Sequence, residues 1–224
     1  LYTLGDLARQ RMQTIAQLRE DGVFDLNREL GIPEVPQRIA VISSPQAAGY
    51  QDFMKELGAS PYRFDVTLFG AVMQGHGAET SIIGALDAVA DRAEEFDAAV
   101  IIRGGGSQSD LSFLNSYLLS FHIAQFPLPV IAGLGHDKDQ SVVDMVAALS
   151  LKTPTAVAAF LADRAAGFDA RLEGLGDEIR SCACRILDRE GKDVQMCGAL
   201  LRERVSGALS LIHISEPTRP ISIS

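Results

Sequence analysis

Four short apolar runs, RIAVISS (38–44), YRFDVTLF (62–69), AAVIIRGGG (98–106) and PLPVIAGLG (127–135), are separated by segments long enough to be helices. Those segments are AAGYQDFMKELG (47–58), GAETSIIGALDAVADRAEEF (77–96) and LSFLNSYLLSFHIAQF (111–126). Near-continuous apolar strands belong to sheets buried on both faces, because a sheet with one wet face alternates polar and apolar positions. Parallel neighbours also need a long crossover, which the intervening segments supply. The alternation therefore predicts an α/β fold: a mostly parallel, Rossmann-like sheet flanked by helices. Ahead of it, Leu4, Leu7, Ala8, Met12, Ile15 and Leu18 recur three or four apart and predict a helix over 4–20, followed by a proline-flanked connector, GIPEVPQ.

Beyond Pro154 the pattern changes. Leu161, Ala165, Phe168, Leu172, Leu175, Ile179, Cys182 and Ile186 follow alternating steps of four and three, the spacing of a long helix or coiled coil. Gly167, Gly174, Gly176 and Gly191 oppose it through their low helix propensity. Four parts are expected: an N-terminal helix and connector (1–36), the α/β domain (37–154), the long helical segment (155–210) and a tail (211–224). The tail, LIHISEPTRPISIS, lacks the helical period and resembles a translated sequencing adapter, so it and His213 are set aside as non-native. The chain opens on Leu1 within helical periodicity, which suggests a fragment.

With 29 acidic residues against 20 basic, the bulk charge repels polyanions, and the excess lies entirely in residues 1–150. Binding of nucleic acid would need a local basic patch or another subunit. The three cysteines, Cys182, Cys184 and Cys197, have no CxxC spacing, which suits unpaired thiols in the reducing cytoplasm. No apolar run is long enough to span a membrane, and no signal peptide is visible at the N-terminus.

Ligands of parallel sheets bind beyond the carboxyl ends of the strands. That rule selects Ser43 and Ser44, the segment 70–77, Arg103 to Asp110, and Gly135 to Asp139. In IIRGGGSQSD (101–110) the glycines permit a sharp turn and close approach of a ligand to backbone amides, and Ser107 or Ser109 is placed to cap the next helix. A plain turn and an anion site both fit the run. Arg103 favours the second, because its guanidinium presents a fork of donors suited to phosphate. The run matches neither GxGxxG nor a phosphate loop, so no nucleotide cofactor is indicated.

GLGHDKD (133–139) presents His136 at a strand end beside Asp137, Lys138 and Asp139. A histidine there can transfer protons near neutral pH while a carboxylate orients it; a helix cap or a polar niche is the alternative. His136, Asp139 and Asp144 offer oxygen and nitrogen donors for a divalent ion, but their spacing matches no strong metal motif. His76 sits between loop glycines, and His122, inside an apolar helix, reads as structural. Asp52, on the helix after the first strand, reads by itself as a solvated side chain. KTPTAVAAF (152–160) is a helix start with Thr153 as cap and Pro154 at the first position, and the hydroxyls of Thr153 and Thr155 can also contact phosphate.

Taken together, RGGGSQSDLSFLN, GLGHDKD followed by VVDMVA, and KTPTAVAAF resemble the large subunit of bacterial exodeoxyribonuclease VII over roughly residues 10–205. SSPQAAGYQD is similar to that family's serine–proline pair leading to an acid on the next helix. The resemblance implies hydrolysis of single-stranded DNA from either end, first to larger oligonucleotides, without a required cofactor or added metal. It puts the catalytic group on Asp52, Arg103, His136 and Asp139; the charge that builds on an attacked phosphoryl group and the donors at the strand ends point to Gly104, Gly105, Gly106, Ser107, Lys138, Thr153 and Thr155 as phosphate or DNA contacts. It further implies an upstream OB-fold domain, and a coiled coil that recruits several copies of a small subunit. Asp137 and Lys138 depart from the family's usual glutamate and threonine. A non-nuclease α/β enzyme handling phosphates or nucleotides, and a helical scaffold subunit, are the alternative readings.

Overall fold

A computed structural model describes residues 4–75, 77–104, 112–135 and 140–214. The chain divides into a unit ending at Asp169 and a second unit from Ala170. The first begins with α1 (Leu4–Glu20) and the single-turn α2 (Leu26–Glu29). Then come β1 (Arg38–Ser43), α3 (Ala48–Ala59), β2 (Asp65–Gly70), α4 (Ala78–Ala90), β3 (Ala98–Ile102), α5 (Tyr117–Ala124), β4 (Val130–Gly133), α6 (Val142–Val146) and β5 (Leu149–Ser150). The last helix, α7, runs Pro154–Ile214, so the glycines do not interrupt it and it continues four residues into the segment expected to stand apart.

The strands lie in the order β2-β1-β3-β4-β5, every neighbouring pair parallel. Alternate residues of each strand serve opposite layers. Ile39, Val41, Val100, Ile102 and Ile131 pack with Phe53 and Leu57 of α3 and with Val157 and Leu161 of α7. Ala40, Ile42, Ala99, Ile101 and Ala132 pack with Ile82 and Leu86 of α4, Leu119 and Ile123 of α5, Val142 and Val146 of α6, and Leu18 of α1. Burial of β1, β3 and β4 on both faces is the physical reason their sequences carry no polar alternation.

Several boundaries differ from the sequence expectation. The expected 77–96 helix ends at Ala90 and a 3-10 turn follows at Ala93–Glu95, where Arg92 forks onto Glu95 at 2.9 and 2.7 Å. The 111–126 helix starts as a 3-10 turn, Ser112–Asn115, and restarts after Ser116, whose hydroxyl accepts from the Leu119 amide and caps α5; Ser107 and Ser109, expected as caps, lie outside the described residues. The elements α2, α6 and β5 were not foreseen. Asn27 of α2 ties the far side of the sheet together. Its amide nitrogen donates to the Phe126 and Leu128 carbonyls at 3.2 and 2.9 Å, and its oxygen accepts from Val130 and Ala148 at 2.9 and 3.0 Å.

In the second unit α7 is helical to Ile214, and Leu172, Leu175, Ile179, Ile186, Leu200 and Val205 are exposed along it. No described helix is long and apolar enough to cross a membrane.

Candidate active site

All five strands end on one rim. Successive connections run from β1 outward to β2, then back past β1 to β3, so the strand order reverses between β1 and β3, where such sheets bind ligands. An open cleft of about 710 Å³ lies at that reversal. It is lined by residues 44–48 after β1, 70–74 after β2, Ser81 of α4, and Arg103 with Gly104 after β3.

Backbone bonds fix its walls. Ala71 donates to the Ser43 carbonyl at 3.0 Å, Ala47 to the Ser44 carbonyl at 3.0 Å, and Val72 to the Ser81 hydroxyl at 2.9 Å. The first turn of α3 sits directly on the exit of β3. A Cβ on Gly49 would come within 2.7 Å of the Arg103 carbonyl oxygen and 2.8 Å of Gly104 N and Cα, and a Cβ on Gly104 within 2.9 Å of Gly49 N. Only paired glycines allow this approach. Ala47, the N-cap of α3, has no side-chain acceptor, so the positive end of the helix dipole meets the cleft without a side-chain cap.

Arg103 is only 7% exposed yet lines the cleft. No carboxylate is among the described lining residues.

The β4 exit lies beside the β3 exit. Ile102 is paired with Gly133, and the Arg103 amide approaches the Gly133 carbonyl at 3.4 Å. Gly135 then turns the chain with φ +77°, a value that favours glycine. The chain enters residues 136–139 from this rim and returns at Ser141, which caps α6. The start of α7 backs the same exit: a Cβ on Gly133 would meet Val157 Cγ2 at 2.7 Å and the Thr153 carbonyl at 3.4 Å. Thr153 caps α7, accepting from the Ala156 amide at 3.1 Å and contacting the Thr155 hydroxyl at 2.9 Å; both threonines are exposed.

Of the residues singled out in the sequence, the structure brings Arg103, Gly104, Thr153 and Thr155 to this rim. Asp52 is exposed on α3, one turn beyond Ala48, and does not line the cleft. His136, Asp137, Lys138, Asp139, Gly105, Gly106, Ser107, Asp110 and His76 lie outside the described residues. His122 is half-buried with Nδ1 3.8 Å from Asp87 Oδ1. Asp144 is committed to structure: Oδ2 accepts from the Ser141 amide and hydroxyl at 3.0 and 2.7 Å, and Oδ1 from the Ser150 hydroxyl at 2.8 Å. It forms the capping box of α6.

The ion pair that joins β1 to the start of β3 lies at the opposite rim. Arg38 Nη2 is 2.6 Å from Asp97 Oδ1, and the Gln37 and Arg38 amides donate to Asp97 Oδ2 at 3.0 and 2.8 Å. Burial pushes the Asp97 carboxyl up, but these hydrogen bonds and the Arg38 charge outweigh it and hold the pKa below the usual range. That pair is structural. Gln46, Gln74 and Gly49 were not singled out in the sequence as candidates; Gln74 lies in the segment the strand-end rule selected, and Gln46 and Gly49 lie within SSPQAAGYQD.

The family described as exonuclease VII, large subunit, matches residues 23–213. The chain is similar to the exodeoxyribonuclease 7 large subunit of Deinococcus radiodurans, 37% identical over 83% of this chain and 46% of that protein. The corresponding protein of Ralstonia nicotianae is 33% identical over 89% of this chain and 45% of its own length, and that of Thiobacillus denitrificans 33% over 88% and 43%. The chain thus spans under half the length of these curated relatives.

Proposed function

Because the chain belongs to the exonuclease VII large-subunit family, we propose that its rim hydrolyses phosphodiester bonds in single-stranded DNA, working from either end and releasing oligonucleotides first. The observation that carries this reading is the adjacency of two exits: Arg103 leaves β3 hydrogen-bonded to β4, and β4 leads directly into the segment bearing His136 and Asp139.

The chemistry follows from charge. Attack on a phosphodiester raises the negative charge on the non-bridging oxygens. A buried cation and backbone amides fixed in advance stabilise that charge more than they stabilise the substrate. Arg103 is the cation, with the amides of residues 104–106 and Lys138 as further donors. His136 transfers the proton and Asp139 orients its ring. Asp52 contributes a carboxylate from the solvent side of α3. Ser107, Thr153 and Thr155 hold neighbouring phosphates. In this reading the reaction requires no cofactor and no divalent metal. The exposed apolar side chains of α7 support docking of several copies of a small partner subunit, in the cytoplasm.

Incubation with end-labelled single-stranded and duplex DNA, with and without EDTA, tests the reading. Cleavage of the single strand alone, unaffected by EDTA, is the expected result, first for this chain and then for the full-length subunit with its partner. Failure of that complete assembly to cut single strands overturns it.

A further inference from the structure

The cleft opens from Arg103 toward β1 and β2, away from β4. Residues 136–139 follow β4 on one side of β3, whereas the cleft extends from Arg103 across the exits of β1 and β2. At about 710 Å³ it exceeds what a single phosphate needs and falls within the range of small-molecule sites. Its walls also differ in kind from a phosphate cradle. Away from Arg103 they offer two primary amides, Gln46 and Gln74, and the apolar side chain of Val72, set on Met73, which is buried in the core.

Gln46 and Gln74 are exposed, and so is Val72, at 54%. A side-chain amide carries both a carbonyl acceptor and an NH₂ donor, the complement of a nucleobase edge. An exposed valine beside a methionine offers an apolar contact for a base face. Arg103 stands at one end of this lining.

We propose that this cleft is a nucleotide subsite: it seats the nucleoside adjoining the phosphate at Arg103, with Gln46 and Gln74 bonding the base edge and Val72 against its face. The assignment rests on the nuclease reading for the identity of the strand but not for the affinity of the cleft. It places base contact on the β1–β2 side of Arg103.

Calorimetry with each of the four deoxynucleoside monophosphates and with deoxyribose 5-phosphate isolates the contribution of the base. At least one mononucleotide should bind about tenfold more tightly than the sugar phosphate, the effect of one or two net hydrogen bonds. The Gln46→Ala/Gln74→Ala variant should lose that difference while still binding the sugar phosphate. Both side chains are exposed, so an unchanged melting temperature is the fold control, and Val72→Glu should weaken every mononucleotide. Equal binding of mononucleotides and sugar phosphate by the unaltered chain overturns the subsite, as does a base preference that survives in the double variant. Because binding is the readout, the subsite can fail while DNA is still cut, and DNA cleavage can fail while the subsite stands.

Discussion

Replacing Gly49 with alanine places one methyl group against the backbone that carries Arg103. The new Cβ lies 2.7 Å from the Arg103 carbonyl oxygen and 2.8 Å from Gly104 N and Cα. Comfortable carbon contacts begin at about 3.5 Å, so α3 and the β3 exit must separate by roughly half an ångström or more. The obstructing atoms are main chain, and no rotamer change relieves them. Overpacking of this kind costs about 1–3 kcal/mol, partly offset by up to about 1 kcal/mol of better helix propensity. Gly58 provides the matched control: it lies in the same helix, and nothing stands within 4 Å of its Cβ position. The propensity gain is common to both variants, so Gly49→Ala should melt below Gly58→Ala by roughly 2–12 °C, at about 2–4 °C per kcal/mol for a domain of this size. Displacement of the arginine should also slow DNA cleavage by about 100-fold, the usual consequence of sub-ångström to ångström misplacement. Equal melting temperatures and equal cleavage rates for the two variants would refute the claim that this glycine contact positions the site.

Three further outcomes follow from other contacts. Asn27→Ala leaves buried backbone groups of Phe126, Leu128, Val130 and Ala148 without their side-chain partner, and should cost roughly 2–5 kcal/mol in urea unfolding. The folded-state pKa of Asp97 is depressed, so its contribution to stability is present above the ordinary aspartate value of about 4 and is lost as pH falls below it. Asp97→Asn should therefore lower stability at neutral pH and flatten the acid limb of a stability-against-pH curve. Thr153→Ala removes the cap of α7 and should destabilise by about 1 kcal/mol, measured by thermal melting.

The layered sheet was legible because burial on both faces leaves a signature in each strand: RIAVIS has no polar alternation to be read otherwise. Strand order was not, since periodicity says which face is buried and nothing about which strand lies alongside. The short elements escaped for a related reason. β5 is two residues long and α6 five, too short for either period to appear, although Ser141 and Asp144 carried a readable capping pattern three residues apart. The 3-10 turn before α5 was absorbed into a single helix because its apolar residues continue the helical spacing. Arg103 was found because charge after an apolar strand is conspicuous. Gln46 and Gln74 were passed over because their significance depends on three strand exits meeting at one cleft, a property of the topology alone.

The central claim is that Arg103 and His136 act on one phosphate from neighbouring strand ends. Cleavage rates of Arg103→Ala, His136→Ala and the double variant on single-stranded DNA test it most directly, with melting curves to verify folding. His136→Ala should lower kcat by roughly 10²–10⁴-fold, and the double variant should be little worse than the more impaired single one, as for groups that work as a unit. Losses that multiply in the double variant, or a folded His136→Ala protein that cuts at the original rate, would contradict it.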